Sequence, residues 1–172
     1  SISLVGIDGV GGDHKLHKAM DYSLSAFSFF DDVILLTCDD IHTGIQIPSM
    51  TSMECQKFTL KHLNDHVETD YMLTVQGDGF IVNPDAWDDE FLDYDYIGAP
   101  WCLPWRWTDP DPHLTYAKNE NVDAKIDIGN GGFSLRSKKF LEESSKLQHD
   151  GHSPEDAFLC IKKYDELISK DI

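Results

Sequence analysis

Basic residues are scarce in this sequence: 14 Lys and Arg side chains stand against 31 Asp and Glu side chains, and the formal net charge is −17. A phosphate backbone would repel so acidic a chain, which excludes bare nucleic acid as a partner. A nucleotide or an anionic sugar donor stays open, because a divalent cation or a nest of backbone N–H groups can hold phosphates on an acidic protein. Most of the acid fits a solvated surface.

Long hydrophobic runs are also missing, and no stretch approaches membrane-spanning length or has the pattern of a signal peptide. The cysteines Cys38, Cys55, Cys102 and Cys160 lie apart without C-x-x-C spacing, so they do not fit a zinc site. Reduced thiols are typical of the cytosol. The sequence therefore predicts a cytoplasmic protein with no membrane span.

Short apolar runs alternate with helical patterns along the first half of the chain. Ile2–Ile7, Val33–Leu36 and Tyr71–Val75 suit buried strands. Thr51 and Glu54 have the spacing of a capping box at the start of an intervening helix. The pattern predicts one α/β domain spanning the whole chain, with a mostly parallel central sheet flanked by helices.

Acidic residues follow each of these three strands. They are Asp8, then Asp39 with Asp40, and then Asp78 in the run Gln76-Gly77-Asp78-Gly79. The carboxyl ends of parallel strands meet at one edge of a sheet, where ligands gather. A carboxylate such as Asp78 there can hold Mg²⁺ or Mn²⁺ against a diphosphate, although taken alone the Asp-Gly pair is an ordinary turn signal.

The second half of the chain contains the glycine-rich segment Gly129–Arg136, in which three glycines run into an apolar strand. A connecting turn rarely needs three glycines, so the segment indicates close approach of the backbone to a ligand, with a β-bulge or tight turn as the alternative. The preceding stretch 102–125, with Trp105 and Trp107, is predicted to be a long binding loop, and burial of its aromatic rings against the core is the alternative.

Ser153-Pro154-Glu155-Asp156 opens the last predicted helix. Its predicted apolar face is Ala157, Ile161, Tyr164 and Ile168. Helix capping alone explains Ser153 and Asp156, and on spacing alone it is favoured. The functional alternative is a carboxylate that deprotonates an acceptor hydroxyl as a general base. His152, just before this run, is a candidate metal ligand, although a histidine satisfied at the surface or in the core is the commoner case.

Four motifs in order resemble GT-A-fold glycosyltransferases, and in particular a poorly characterised family with Q-x-D-G, YDYIGAPW, GNGGxSLR and PED. The matching segments are Val75–Phe80, Tyr94–Trp101, Gly129–Arg136 and Pro154–Asp156. The likeness covers roughly residues 70–163. It implies a GT-A-like, Rossmann-like domain whose nucleotide-binding half is 1–79 and whose acceptor and catalytic half is 80–172.

The resemblance also implies roles for individual residues. Gln76 stands at the first acidic position of the Asp-x-Asp motif of GT-A enzymes and Asp78 at the second, so Asp78 would be the main ligand of Mn²⁺ or Mg²⁺, with His152 as a second metal ligand. Asp39 would contact the base, and Lys57 or Lys61 would lie near the phosphates. The expected donor-binding set is Asp8, Asp39, Lys57, Lys61, Gln76, Gly77 and Asp78.

For the sugar and the acceptor, the resemblance implies a pocket formed by Trp101, Asn130, Gly131 and Gly132. Asp156 or Glu155 would be the catalytic base. The function expected is transfer of a sugar from a nucleotide diphosphate sugar to a hydroxyl acceptor such as a glycan. The alternatives are a noncatalytic carbohydrate- or nucleotide-binding module of the same fold, and a sugar nucleotidyltransferase or hydrolase.

Overall fold

The computed structural model describes residues 1–40, 43–100 and 128–172. Six strands form one sheet in the order β3-β2-β1-β4-β6-β5. The strands are β1 (Ile2–Asp8), β2 (Asp32–Thr37), β3 (Ile45–Gln46), β4 (Tyr71–Val75), β5 (Tyr96–Pro100) and β6 (Ile128–Ser137). The α-helices are α1 (His14–Ala26), α2 (Ser52–His62), α3 (Lys138–Ser145), α4 (Glu155–Ala157) and α5 (Tyr164–Ile168). No helix in the described ranges combines the length and the apolarity needed to cross a membrane.

The first four strands confirm the α/β prediction. β1 pairs in parallel with β2 on one side and with β4 on the other, and β2 pairs in parallel with β3. All three predicted strands are present. Their side chains alternate between two covered faces, which is why their sequences read as continuous apolar runs.

The prediction of a mostly parallel sheet is wrong in the second half, where the sheet is mixed. β6 is antiparallel to both β4 and β5. A parallel neighbour needs a crossover connection, usually a helix, and the sequence from 102 to 125 shows little periodicity. The β5–β6 pairing is also irregular, with register shifts at Gly98/Ala99 and Ala99/Pro100. These shifts, with Gly129 at φ +139°, fit the β-bulge that was the alternative interpretation of the glycine-rich segment.

Apolar clusters cover the two faces of the sheet. The cluster on the α1 face contains Ile2, Leu4, Leu16, Met20, Leu35, Leu73, Val75 and Leu135. The cluster on the opposite face contains Val5, Ile34, Leu36, Ile47, Leu63, Val67, Met72 and Leu141. Phe58 of α2 packs against this second cluster. The connections through α1 and α2 therefore lie on opposite faces of the sheet.

The last predicted helix is broken into short pieces. α4 is a single turn, Phe158–Lys162 forms a π-helical turn, and α5 follows. A π turn rotates the residues beyond it relative to a regular helix. As a result Tyr164 and Ile168, placed on the buried face by the sequence pattern, are 46% and 54% exposed.

The predicted capping box of α2 is confirmed and makes a testable contribution to stability. Thr51 Oγ1 accepts the backbone N–H of Glu54 at 3.3 Å, and Glu54 Oε2 accepts the N–H of Thr51 at 2.8 Å. Thr51→Ala should lower the free energy of unfolding by about 1 kcal/mol in urea titrations, because an N-terminal N–H of the helix loses its acceptor. Ser52→Ala, one residue further on at an exposed position, is the control and should change it much less. Equal effects in the two variants would contradict the capping role.

Candidate active site

The strand order places a crevice between the carboxyl ends of β1 and β4. The chain leaves β1 on the α1 face and reaches β4 from the α2 face, and in α/β sheets such a divergence is where ligands bind. A cavity of about 280 Å³ lies there, on the α2 face. Its described lining residues are Val5, Ile7, Cys55, Gln56, Thr59, Thr74, Val75, Gln76, Asn130, Gly131, Gly132, Arg136, Pro154, Glu155 and Asp156.

A second cavity, of about 430 Å³, lies on the α1 face. Its lining includes Phe27, Ile81, Trp87, Phe91 and Phe133, and none of its described lining residues is titratable. Its described lining offers an apolar surface but no group that could move a proton. The smaller cavity, which contains carboxylates, amides and closely approached backbone, is therefore the candidate active site.

The acids at the ends of β1 and β2 hold a loop in place. Asp8 is buried, and its two carboxylate oxygens accept the N–H groups of Gly11 at 2.7 Å and Asp13 at 2.9 Å. Asp39 Oδ2 accepts the N–H of Gly12 at 3.0 Å. Gly11 and Gly12 both have positive φ, which exposes their N–H groups to these carboxylates. The loop thus donates two hydrogen bonds to Asp8 and one to Asp39, the two predicted donor-binding acids at these strand ends.

The third strand end forms a tight turn that presents an exposed acid. Gln76 and Gly79 exchange backbone hydrogen bonds of 2.9 and 3.1 Å, with Gly77 and Asp78 between them. Asp78 is exposed and makes no hydrogen bond or ion pair with any described residue. The Gln76 amide lies over Gly132, where a β-carbon would come within 2.4 Å of Gln76 Oε1. A side chain at 132 would therefore displace the Gln76 amide from its present position.

Gly131 connects the glycine-rich strand to the predicted base. Its carbonyl accepts Thr74 Oγ1 at 3.0 Å and Ser134 Oγ at 3.0 Å, and its N–H donates to Asp156 Oδ2 at 3.1 Å. A β-carbon at Gly131 would lie 2.7 Å from Arg136 Nη2. The backbone at Gly131 is therefore in close contact with the protein's own polar groups. Close approach of this segment to a ligand stays a prediction.

A buried ion pair lies beneath the cavity. Arg136 is 2% exposed and Glu155 is 4% exposed. The guanidinium donates to both carboxylate oxygens, with Nη1–Oε1 at 2.5 Å and Nη2–Oε2 at 3.2 Å. Arg136 Nε also donates to Ser134 Oγ at 3.0 Å, and the guanidinium lies over the Tyr96 ring at 5.4 Å. This bidentate geometry occupies both oxygens of Glu155.

Asp156 is the carboxylate of the pair 155–156 that faces the cavity with capacity to spare. It is half-buried, and each oxygen accepts one backbone hydrogen bond, from Gly131 N at 3.1 Å and from Ala157 N at 2.7 Å. Burial raises the pKa of the Asp156 carboxyl above its ordinary value, and the neighbouring Glu155 carboxylate raises it further. A fixed carboxylate with a raised pKa has the properties of a general base.

Other predicted site residues lie outside this constellation. Lys57 is exposed, and Lys61 Nζ donates to the Ser145 carbonyl at 2.8 Å; neither lines the cavity. His152 is exposed and lies beside Asp150, with Nε2 3.6 Å from Asp150 Oδ2. Trp101 lies outside the described residues. The structure therefore brings together Gln76, Asn130, Gly131, Gly132, Glu155 and Asp156 from the predicted set.

Two site residues of α2 were missed by sequence reasoning. Gln56 Oε1 accepts the backbone N–H of Glu155 at 2.8 Å, and Gln56 and Thr59 both line the cavity. On the sequence they are polar residues on a helix, and nothing distinguishes them from a solvated face. The structural role of Arg136 was missed too, although a cation within an apolar strand is itself a signal that a buried partner is needed.

No group of three or more His, Cys, Asp or Glu side chains within the described ranges is arranged to hold a metal ion. Asp78 and the amide oxygen of Gln76 are nevertheless hard oxygen ligands, and Mg²⁺ or Mn²⁺ on nucleotide enzymes is often held by one or two protein ligands together with the phosphates. Metal binding at Asp78 stays a prediction.

The sequence from 38 to 169, more than half of the chain, matches a family model described as "Protein of unknown function (DUF5672)". A search of curated proteins finds no match.

Proposed function

The chain belongs to the DUF5672 family, and we propose that it is a glycosyltransferase that moves a sugar from a nucleoside diphosphate sugar to a hydroxyl group of an acceptor such as a glycan. The observation that carries this proposal is Asp156: a half-buried carboxylate of raised pKa in a polar cavity at the divergence of β1 and β4. The resemblance of the four motifs to GT-A enzymes supplies the class of substrate.

In the proposed reaction Asp156 accepts the proton of the acceptor hydroxyl as that oxygen bonds to the anomeric carbon of the sugar. The bond between that carbon and the diphosphate oxygen breaks, and the nucleoside diphosphate leaves with the electron pair. Gly131 N–H and Ala157 N–H fix the carboxylate but use only part of its accepting capacity. Glu155 is already bound by Arg136, so it positions Asp156 instead of acting as the base. One base and one displacement imply inversion at the anomeric carbon.

Asp78 is proposed to lie on the diphosphate side of the donor. A divalent cation bound there with the phosphates would neutralise the negative charge of the departing group. Asp78 makes no hydrogen bond or ion pair with a described residue, whereas Asp8 and Asp39 accept hydrogen bonds from the loop that follows β1.

Donor binding tests the proposal before any acceptor is known. We expect calorimetry with a panel of uridine, guanosine, adenosine and thymidine diphosphate sugars to find a ligand whose affinity rises with Mn²⁺. Asp78→Asn should lose most of the Mn²⁺-dependent part. Asp21→Asn, an exposed acid of α1, is the matched control and should behave as the wild type.

Product analysis then separates the alternatives. Transfer to a glycan acceptor supports the glycosyltransferase. Binding with neither transfer nor slow donor hydrolysis would instead identify a noncatalytic module. Release of a sugar phosphate would identify a nucleotidyltransferase or hydrolase, and either of these outcomes would overturn the proposal.

The pH dependence of transfer should report on Asp156. A carboxylate acts as a base only when ionised, so kcat/KM should fall as the pH is lowered through the raised pKa of Asp156. The fall should begin at a higher pH than it would for an exposed aspartate, whose pKa is about 3.9. The measurement is a profile from about pH 4 to about pH 8 with the donor saturating and subsaturating. A rate that is flat down to the ordinary aspartate pKa would argue against this base.

A further inference from the structure

The cavity is lined by carboxamides whose N–H₂ groups make no hydrogen bond with any described residue. Gln56 Oε1 accepts Glu155 N at 2.8 Å and Asn130 Oδ1 accepts Gly132 N at 3.0 Å. The amide nitrogens of both side chains make no hydrogen bond with a described residue, and the same is true of Gln76. A carboxamide nitrogen is a pure donor, so it binds acceptor oxygens, among them the oxygen of a hydroxyl group.

Asp156 supplies the complementary acceptors. Each of its oxygens carries one backbone hydrogen bond and keeps a further lone pair. The cavity thus sets amide donors from α2, β4 and β6 around one carboxylate. Hydroxyl groups, which both donate and accept, match this combination better than any purely accepting group does.

The charges of the described lining residues also favour an uncharged ligand. Arg136 is the one cation among the described lining residues, and its charge is matched by Glu155 in the buried pair. The ionised Asp156 therefore leaves the described lining with a net negative charge. A second carboxylate brought into this half-buried space would face like-charge repulsion and would lose its hydration without gaining a cation.

We propose that the cavity formed by Gln56, Gln76, Asn130 and Asp156 selects an uncharged, polyhydroxylated sugar and rejects sugar acids. This inference rests on the proposed function for its biological meaning, since it names the sugar class carried by the donor. Its physical content is a binding preference of the cavity itself, and that can be measured without nucleotide and without turnover.

The test is ligand-observed NMR with methyl glycosides at neutral pH. Methyl glucoside, methyl galactoside and methyl mannoside are the neutral probes, and methyl glucuronide is the charged one. At least one neutral glycoside should bind, and the glucuronide should bind on the order of 100-fold more weakly. Asn130→Ala and Gln56→Ala should each weaken neutral binding by about 2- to 10-fold, because one hydrogen bond is lost. Gln148→Ala, an exposed glutamine beyond α3, is the control and should leave binding unchanged.

A gain-of-function variant guards against simple loss of folding. Gln76 is exposed at the cavity mouth and makes no side-chain hydrogen bond with a described residue. Gln76→Lys should therefore preserve the fold and should improve glucuronide binding by at least about tenfold, by pairing with the carboxylate. The inference is overturned if the wild type binds glucuronide as well as the neutral glycosides, if no glycoside binds, or if Asn130→Ala and Gln56→Ala bind as the wild type does.

These outcomes separate the two proposals. Neutral selectivity in NMR without donor binding or transfer would support the cavity's preference and overturn the glycosyltransferase. Transfer from charged and neutral donors at equal rates would support the glycosyltransferase and overturn the selectivity.

Discussion

Asp156→Asn is expected to reduce the rate of sugar transfer by about 10²- to 10⁴-fold, the usual contribution of a general base. The asparagine keeps the size of the side chain and can still accept the N–H of Gly131, so the α4 turn should hold its place. It cannot take a proton from the acceptor hydroxyl. Single-turnover transfer with saturating donor measures the effect directly, since it avoids any contribution from product release.

The donor affinity of Asp156→Asn provides the internal check. A base acts on the acceptor, so the dissociation constant of the donor should stay within a few-fold of the wild-type value. Asp165→Asn, an exposed acid of α5, is the control for charge removal near the carboxyl terminus. Transfer at the wild-type rate in Asp156→Asn would refute the assignment of the base.

The second large effect is expected on stability, from the buried pair Arg136–Glu155. Arg136→Met leaves a carboxylate buried without its cation, and Glu155→Leu leaves the cation without its carboxylate. Each change should lower the free energy of unfolding by about 3–5 kcal/mol in urea titrations, because an uncompensated charge is then buried. The double variant should recover much of this loss, since apolar replacement of both partners is often close to neutral.

The ion pair Lys163–Glu166, which is more exposed, is the comparison for the double-mutant cycle of Arg136 and Glu155. Lys163 Nζ and Glu166 Oε2 lie 2.8 Å apart, and their side chains are 31% and 43% exposed. Lys163→Met should change stability little, because water screens such pairs. The buried pair should show strong coupling between its two substitutions in the double-mutant cycle. Additive effects of Arg136→Met and Glu155→Leu would mean that the two side chains do not stabilise each other.

The double variant also tests the positioning role. Glu155 precedes Asp156 in the α4 turn. Arg136 Nη2 donates to the Gly131 carbonyl at 3.4 Å, and the N–H of Gly131 donates to Asp156. A stable double variant with slowed transfer and unchanged donor affinity would support a role in placing the base.

The strands and the capping box could be predicted because their signals are local. The apolar runs at 2–7, 33–36 and 71–75 indicate strands buried on both faces of a sheet. The spacing of Thr51 and Glu54 indicates the start of a helix. The acids after the strands were also identified from sequence. What they do was not, because the hydrogen bonds from the loop after β1 to Asp8 and Asp39 depend on backbone conformation at Gly11 and Gly12.

The direction of β6 and the break in the last helix depend on tertiary structure. Residues 133–136 alternate apolar and polar side chains, and the polar ones, Ser134 and Arg136, are buried as well. The direction of β6 is set by its pairing with β4 and β5, which are distant in the sequence. A π turn has no periodicity of its own, and the pattern from Ala157 to Ile168 reads as a single helix. The pairing of Arg136 with Glu155 joins residues 19 positions apart, and no local rule connects them.

The predicted phosphate ligands Lys57 and Lys61 do not line the cavity, for a related reason. Lys61 has the spacing of a helix residue that could face the strand ends, but its ammonium group donates to the carbonyl of Ser145, the last residue of α3. Gln56, five residues earlier on α2, lines the cavity instead. Which turn of α2 faces the site is set by helix packing, and the sequence pattern does not resolve it.

The most direct test of the central claim is a crystal structure with the nucleoside diphosphate sugar that binds best in calorimetry, grown with Mn²⁺. The sugar should occupy the 280 Å³ cavity, with hydroxyl groups on Asn130 and Gln56, Asp156 on the side of the anomeric carbon opposite the diphosphate, and the phosphates near Asp78. A donor bound on the α1 face, or a sugar whose anomeric carbon lies away from Asp156, would contradict the proposed site.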